Sequence, residues 1–327
     1  MTPRRCGAAA LAALVIAACG GGDENGGGSD LRAGDFSIMA PADPGGGWDS
    51  TARALQQALD DSGVVSGNVE VYNRPGAGGT TGLAEFATDK DGRADELMVM
   101  GLVMVGAIET NDAPVGLDEV TPIASLTAEY EAIVVPAGSE YETVDDLLED
   151  FEADPRSISW GGGSAGGTDH ILVGLIAEAT GVDPSGINYI AHSGGGEALS
   201  SILSGGVTAG VSGISEFEDQ VASGQLRYLA VSSPDPIEGV DAQTLREAGV
   251  DIDLTNWRGL VAPAGIDDAD RDELVAIVDE LVASDEWQGV LEANDWDSFV
   301  QVGDEFDAFL ADEASRVAAT LERIGLT

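Results

Sequence analysis

Residues 36–59, FSIMAPADPGGGWDSTARALQQAL, decide the fold of this chain. Phe36–Met39 is a short apolar run suited to a buried strand, Pro44–Asp49 (PGGGWD) is a glycine-rich turn, and Asp49–Asp60 has a helical pattern. A strand that runs through a glycine loop into a helix is the repeating unit of an open α/β sheet. Its loops lie at the carboxyl ends of strands, where such sheets bind ligands.

The same unit recurs twice. Arg74–Gly82 (RPGAGGTTG) follows the strand-like Val69–Tyr72, and Gly161–His170 (GGGSAGGTDH) follows Ile158–Trp160. Further strand candidates are Leu97–Met100, Ile133–Val135, Ile187–Ile190, Val207–Val211 and Leu226–Val231, with helical stretches such as His170–Ala179 between them. Near-continuous apolar strands spaced by helices predict mixed, mainly parallel sheets flanked by helices on both faces. Near the C-terminus, Leu274, Ile277, Val278, Leu281 and Val282 follow helical spacing. So do Phe306, Phe309, Leu310, Val317, Leu321 and Ile324, which predicts two long amphipathic helices.

The N-terminus sets the compartment. Arg4 and Arg5 precede an apolar run from Ala8 to Ala18 that is too short to span a bilayer. It ends in Ile16-Ala17-Ala18-Cys19, which resembles a bacterial lipobox. Residues 1–18 are therefore expected to be a lipoprotein signal peptide, with Cys19 lipidated at the outer face of the cell membrane or in the periplasm. Residues 19–34 then form a glycine-rich tether. An ordinary signal peptide with an incidental cysteine is the plainer alternative. Removing residues 1–18 takes Cys6 away and leaves no disulfide, so stability rests on a core that this length readily supplies, in two domains.

The chain has 14 Lys+Arg against 59 Asp+Glu, for a net charge of −45, and Lys90 is its single lysine. No basic stripe exists, which excludes nucleic acid as a partner. The 43% apolar content, arranged periodically, argues against disorder. An acidic, solvating surface of this kind suits a high-salt habitat.

Glycine-rich loops that open helices present backbone N–H groups and the positive end of a helix dipole, and the natural guest is an anion. Other uses of these loops fit less well. Gly161, Gly163 and Gly166 satisfy G-x-G-x-x-G, but no acidic residue ends the next strand at the distance a dinucleotide site needs. No cofactor is expected. Gly162, Ser164 and Gly166 satisfy G-x-S-x-G, which makes a surface serine hydrolase with Ser164 as nucleophile the alternative function. That fold needs an acid and then a histidine downstream, and His170 and His192 are the only histidines. Two isolated histidines and a lipidated cysteine predict no metal site.

In order along the chain, APADPGGGWDSTARALQQAL, VEVYNRPGAGGTTGLAEFA, WGGGSAGGTDHI, YIAHSGGGEALSSILSGGVTAGVSG, GQLRYLAVSS, NWRGLVAPAGI and EFDAFLADEASRVAATLERIGL resemble the substrate-binding proteins of tripartite tricarboxylate transporters, the Bug or TctC-like family. The resemblance covers residues 36–327. It implies a periplasmic-binding-protein-like fold of two α/β lobes that close like a flytrap on an organic di- or tricarboxylate. It also implies no enzymatic chemistry, and delivery of the acid to a small and a large permease subunit. Lobe I is expected at 35–128 and 233–327, and lobe II at 129–232.

The candidate ligand residues lie in the three loops. Gly45, Gly46 and Gly47 offer amides, unless PGGGWD is a plain tight turn. Trp48 walls the cleft or packs at a helix start. Asp49 caps its helix or accepts a hydrogen bond from ligand. Arg74 pairs with a ligand carboxylate or, more simply, with one of the many acids. Gly76, Gly78 and Gly79 support the second loop, with Gly78 a contact. In the third loop Ser164, Ala165, Gly166 and Thr168 offer amides and hydroxyls, and His170 in the first helical turn is read as a neutral donor or a buried structural residue. His192 and Ser193 open a further strand-end loop, and Ser212 and Ser215 follow another strand.

Overall fold

The computed structural model describes residues 31–192, 195–252, 254–294 and 296–327. The expected signal peptide, Cys19, residues 19–30 of the tether, and Ser193 lie outside the described residues. The chain is already packed by Leu31, which is buried, and Arg32 pairs with Glu273 and Glu280 at 2.6 Å each. Residues 31–34 therefore belong to the folded body, because a buried leucine and a paired arginine hold them there.

The element order is β1 (Phe36–Ala40), α1 (Gly47–Ser62), β2 (Val69–Asn73), α2 (Thr80–Asp89), β3 (Glu96–Gly101), α3 (Leu102–Thr110) and β4 (Val120–Pro136). It continues with α4 (Val144–Ala153), β5 (Ser159–Gly162), α5 (Thr168–Thr180), β6 (Asn188–Ala191), α6 (Gly195–Leu203), β7 (Ala209–Gly213), α7 (Ile214–Ala222), β8 (Leu226–Val231) and β9 (Gln243–Thr244). It ends with β10 (Thr255–Pro263), α8 (Asp268–Val282), α9 (Asp285–Asn294), β11 (Asp297–Ser298) and α10 (Asp304–Arg323).

The strands run in the order β2-β1-β3-β10-β4-β7-β5-β6 through one curled, mixed sheet. The first half pairs β1 in parallel with β2 and β3, and the second pairs β5 in parallel with β6 and β7. β4 joins them. Its first part pairs antiparallel with β10, and its last part with β7 and β8. The expected two-lobed α/β architecture is therefore present, with β4 as the strand that crosses from one lobe to the other.

Two differences from the sequence reading concern that crossing. Ile133–Val135 is only the end of a 17-residue strand, and β10 was not among the strand candidates. Glu129 and Glu131 break the apolar run in β4, and Arg258 does so in β10. The second difference is the return boundary expected at residue 233. Gln243–Thr244 pairs with β8, and Leu245 is fully buried, so residues 233–254 stay with lobe II and the chain re-enters lobe I at β10.

Core burial follows the layers. One cluster packs α1, α8 and α9 against the outer face of lobe I, with Leu55, Leu274 and Trp287. Another packs α6 and α7 against lobe II, with Ile202 and Phe217. The largest runs through both lobes, from Met39 and Met104 to Trp160, Ile171 and Phe306. α10 lies across that seam. Trp257 Nε1 donates to Glu313 Oε1 at 3.0 Å, Phe306 and Phe309 meet the Trp257 ring edge-on, and Arg323 reaches Glu178 of α5 at 2.9 Å.

Candidate functional site

Five helices begin where a strand ends, and each begins at a glycine with no side-chain cap. These are Gly46 for α1, Gly79 for α2, Gly101 for α3, Gly167 for α5 and Gly213 for α7. By contrast, α4 is closed by a Thr143–Asp146 capping box and α8 by Asp267. At these five starts the N-cap residue has no side chain with which to cap the first-turn N–H groups.

The first loop is anchored from beneath. The Gly45 amide donates to Asp49 Oδ2 at 2.8 Å, and Gly46 donates to the Asp43 carbonyl at 3.0 Å. Asp49 also accepts from Arg53 Nε at 3.0 Å and Asn73 Nδ2 at 2.9 Å, and is buried. Burial would raise its pKa, but the bonds from Arg53, Gly45 and Asn73 hold it below the usual carboxylate range. These three protein groups anchor Asp49 beneath the loop. Trp48 is half-buried between the starts of α2 and α3, where a Cβ on Gly79 would lie 2.6 Å from its ring and one on Gly101 3.2 Å from its Nε1. Gly78 has φ +61°, and a Cβ there would come within 2.6 Å of Ala107, so only glycine lets this loop lie on α3. Arg74 pairs with Glu85 at 2.7 Å and stacks over Tyr72, the structural role.

The third loop reaches across from lobe II to touch lobe I. Gly166 has φ +77°, and a Cβ on Gly106 of α3 would lie 2.2 Å from its carbonyl oxygen. Ser164 is half-buried, Ala165 is exposed, and Gly167 N–H closes the turn onto Ser164 O at 3.0 Å. Buried Thr168 donates to Asn256 Oδ1 of β10 at 3.5 Å. His170 stacks on Tyr189 at 4.0 Å and its Nδ1 accepts from the Gly166 amide at 3.3 Å. Burial lowers its pKa to about 4, so the ring is neutral, with Nδ1 an acceptor and Nε2 left as the donor. His192 Nδ1 lies 3.0 Å from the Gly162 carbonyl. Among the described residues no hydrogen bond links Ser164 to a histidine, so G-x-S-x-G builds a loop here.

Between these loops the crossing strands carry a charged group that the sequence reading did not single out. Arg258 of β10 pairs with Glu129 of β4, lies over the Trp296 ring at 5.2 Å, and would stand 2.9 Å from a Cβ on Gly47. Ser215 Oγ donates to Glu129 Oε1 at 2.9 Å. Glu131 lies next along β4, wholly buried, with Asp169 and Glu216 acting on it. Burial raises Asp169 to about 6, against the pull of the Gly163 amide 2.6 Å away. Glu216 is exposed to water yet enclosed between the lobes; that enclosure, with the Asp169 and Glu129 charges, raises it to about 7. Glu131 is raised well above the ordinary range by burial, then by Asp169, Glu216 and Glu129. The adjoining groove, of about 540 Å³, is lined by Glu129, Tyr130, Ser215, Glu218 and Trp296. The available signal was Glu-Tyr-Glu inside an otherwise apolar strand, where a charge has no reason to be without a partner across the fold.

Among the described residues no group of His, Cys, Asp or Glu is placed to hold a metal ion, and no helix is long and apolar enough to cross a membrane. Protein BugT of Bordetella pertussis is 26% identical over 297 residues, covering 88% of each chain. MatC of Rhodopseudomonas palustris, solved with bound malate, has the same fold, with a TM-score of 0.73 and 20% identity over 88% of this chain and 99% of that one. An R. palustris protein solved with adipate gives a TM-score of 0.74 and 21% identity over 89% and 97%. Residues 51–326 match the model of the tripartite tricarboxylate transporter family receptor, TctC. Family and fold are those of solute-binding receptors, and the chain belongs to the TctC family.

Proposed function

We propose that this protein captures a small organic acid between its two lobes outside the cytoplasm and passes it to the small and large permease subunits of a tripartite transporter. The observation that carries this is the set of five helices that start at strand ends on a glycine, a residue with no side chain to cap the helix. The solved relatives with malate and adipate set the expected ligand size. Gly46, Gly47 and Trp48 supply the α1 amides, anchored by Asp49, and Gly78 supports the second loop. Ser164, Ala165, Gly166, Thr168 and His170 form the opposite jaw. Lipidation at Cys19 tethers the protein to the membrane surface.

The test is a thermal-shift panel of malate, succinate, glutarate, adipate and citrate. An acid at a hundred times its dissociation constant is expected to stabilise the fold by about 2.7 kcal/mol. Shifts from sugars alone, with none from any acid, would sink the carboxylate reading.

A further inference from the structure

The lobes are joined at the crossing strands by side chains as well as by backbone. Glu129 lies opposite Asn256 and Arg258 opposite Thr127, so the two are diagonal neighbours on one face of the β4–β10 pair. Their ion pair is nearly buried, with Glu129 8% and Arg258 9% exposed. Each partner also reaches a different lobe. Glu129 Oε1 accepts from Ser215 Oγ at 2.9 Å in the first turn of α7, and a Cβ on Gly213 would lie 3.8 Å from the same oxygen. Arg258 stands over the start of α1, where a Cβ on Gly47 would come within 2.9 Å of its guanidinium, and it lies over the Trp296 ring at 5.2 Å. The backbone beneath is stitched. The Glu131 N–H donates to Ser232 Oγ at 2.9 Å, and that hydroxyl donates to the Leu254 carbonyl at 2.6 Å.

We infer that Arg258 is a positioning residue, and that the chain from Ser215 through Glu129 and Arg258 to the start of α1 latches lobe II to lobe I. The ion pair is the fixed part, because both strands belong to the stitched floor. The Ser215 hydrogen bond is the part that opens when α7 moves away, because it is made by one exposed hydroxyl. Arg258 keeps the Glu129 carboxylate turned toward Ser215. Without it a nearly buried charge has lost its partner, and the groove of about 540 Å³ beside Glu129 and Ser215 gives the carboxylate room to swing into water. The use of the latch rests on the capture reading above: a tie across the cleft slows the escape of whatever the lobes enclose. It assigns no chemistry to that guest.

The test is the distance between spin labels at Asp61→Cys and Ala222→Cys in a mature Cys19→Ser chain, measured by pulsed electron resonance without ligand. Both positions are exposed, and they lie at the far ends of α1 and α7. Arg258→Met is expected to raise the population with separated lobes about tenfold, the scale of a hydrogen bond to a charged group, and Ser215→Ala about threefold. Arg258→Lys, which keeps the charge, should restore most of the unseparated population. Ser215→Ala with Arg258→Met should open the lobes no further than Arg258→Met alone, because the two act in series. Adipate is the probe for retention: its dissociation rate should rise with the separated population while its association rate is unchanged. Ser215→Ala, at an exposed position, keeps the test decisive if Arg258→Met does not fold. Unchanged distances in the single variants that melt cooperatively would overturn the latch, and additive opening in the double variant would overturn the series connection. Opening without faster release of adipate would overturn the role in retention. Distances that respond as expected in a chain that neither adipate nor the other acids bind would leave the latch standing and overturn the carboxylate reading.

Discussion

At the scale of single residues, the buried acids give the fold an unusual response to pH. Acid pKa values raised above the unfolded range mean that the folded state holds more protons than the unfolded chain between about pH 4 and 7. Asp169 at about 6, Glu216 at about 7 and Glu131, raised well above its ordinary value by burial, therefore lower stability as pH rises through that window. Arg258 opposes this only in part, since it faces Glu129. Asp49 and Asp95, held low by their arginine partners, act in the opposite sense and lose their contribution as pH falls below about 4. Thermal melts in the absence of ligand are expected to show highest stability near pH 5 and a decline toward pH 8. Glu131→Gln should flatten the decline, and an unchanged slope would mean that Glu131 does not hold a proton at pH 5. Gly47→Asp is expected to abolish binding of the organic acid, because its carboxylate would stand against Arg258 and beside the α1 amides. Unchanged affinity by calorimetry would take the first loop out of the site.

At the scale of elements, α3 lies tightly against the third loop where the two lobes meet. A Cβ on Gly106 would lie 2.2 Å from Gly166 O, so Gly106→Val must push the lobes apart. Overpacking of this kind costs about 1–3 kcal/mol, so ligand affinity should fall roughly 10–100-fold. Small-angle scattering should show a wider closed form, and an unaltered affinity would mean that this contact plays no part in closure. The same close packing rules out Gly166→Asp as a clean probe, since φ +77° and a Cβ 2.4 Å from Thr110 would strain the fold itself. α10 supports both lobes through the Trp257–Phe306–Phe309 aromatic group and the Arg323–Glu178 pair. Phe306→Ala, at a fully buried position, is expected to cost about 3–5 kcal/mol in urea unfolding. It should destabilise both lobes together, and two separated transitions would show that α10 does not couple them.

At the scale of the whole molecule, the net charge of −45 governs how a ligand arrives. A dianion approaching this surface meets long-range repulsion, while the helix amides attract it only at short range. The Debye length falls from about 10 Å at 0.1 M salt to about 3 Å at 1 M, which suppresses the distant repulsion far more than the contact. The association rate for glutarate is therefore expected to rise with potassium chloride, measured where the fold stays intact, and stability should rise with it as self-repulsion is screened. A rate that falls with salt would mean that a cation, with Arg258 the candidate, captures the ligand first.

The sequence by itself determined the local units. Strand–glycine loop–helix repeats placed three loops at strand ends, and helical spacing identified buried Leu274, Ile277, Phe306 and Leu321. These signals are local because burial on one face imposes a period on the chain. It also left Asp49 open between cap and contact, because the groups that hold it, Arg53 and Asn73, lie 4 and 24 residues away. Only the tertiary structure decided the crossing strands and the floor of the cleft. Glu129 meets Arg258 across 129 positions of chain, and Glu131 meets Asp169 on another element. A charge inside an apolar strand reads as a break in the strand until its partner is known, and that partner is supplied by the fold, not by neighbours in sequence.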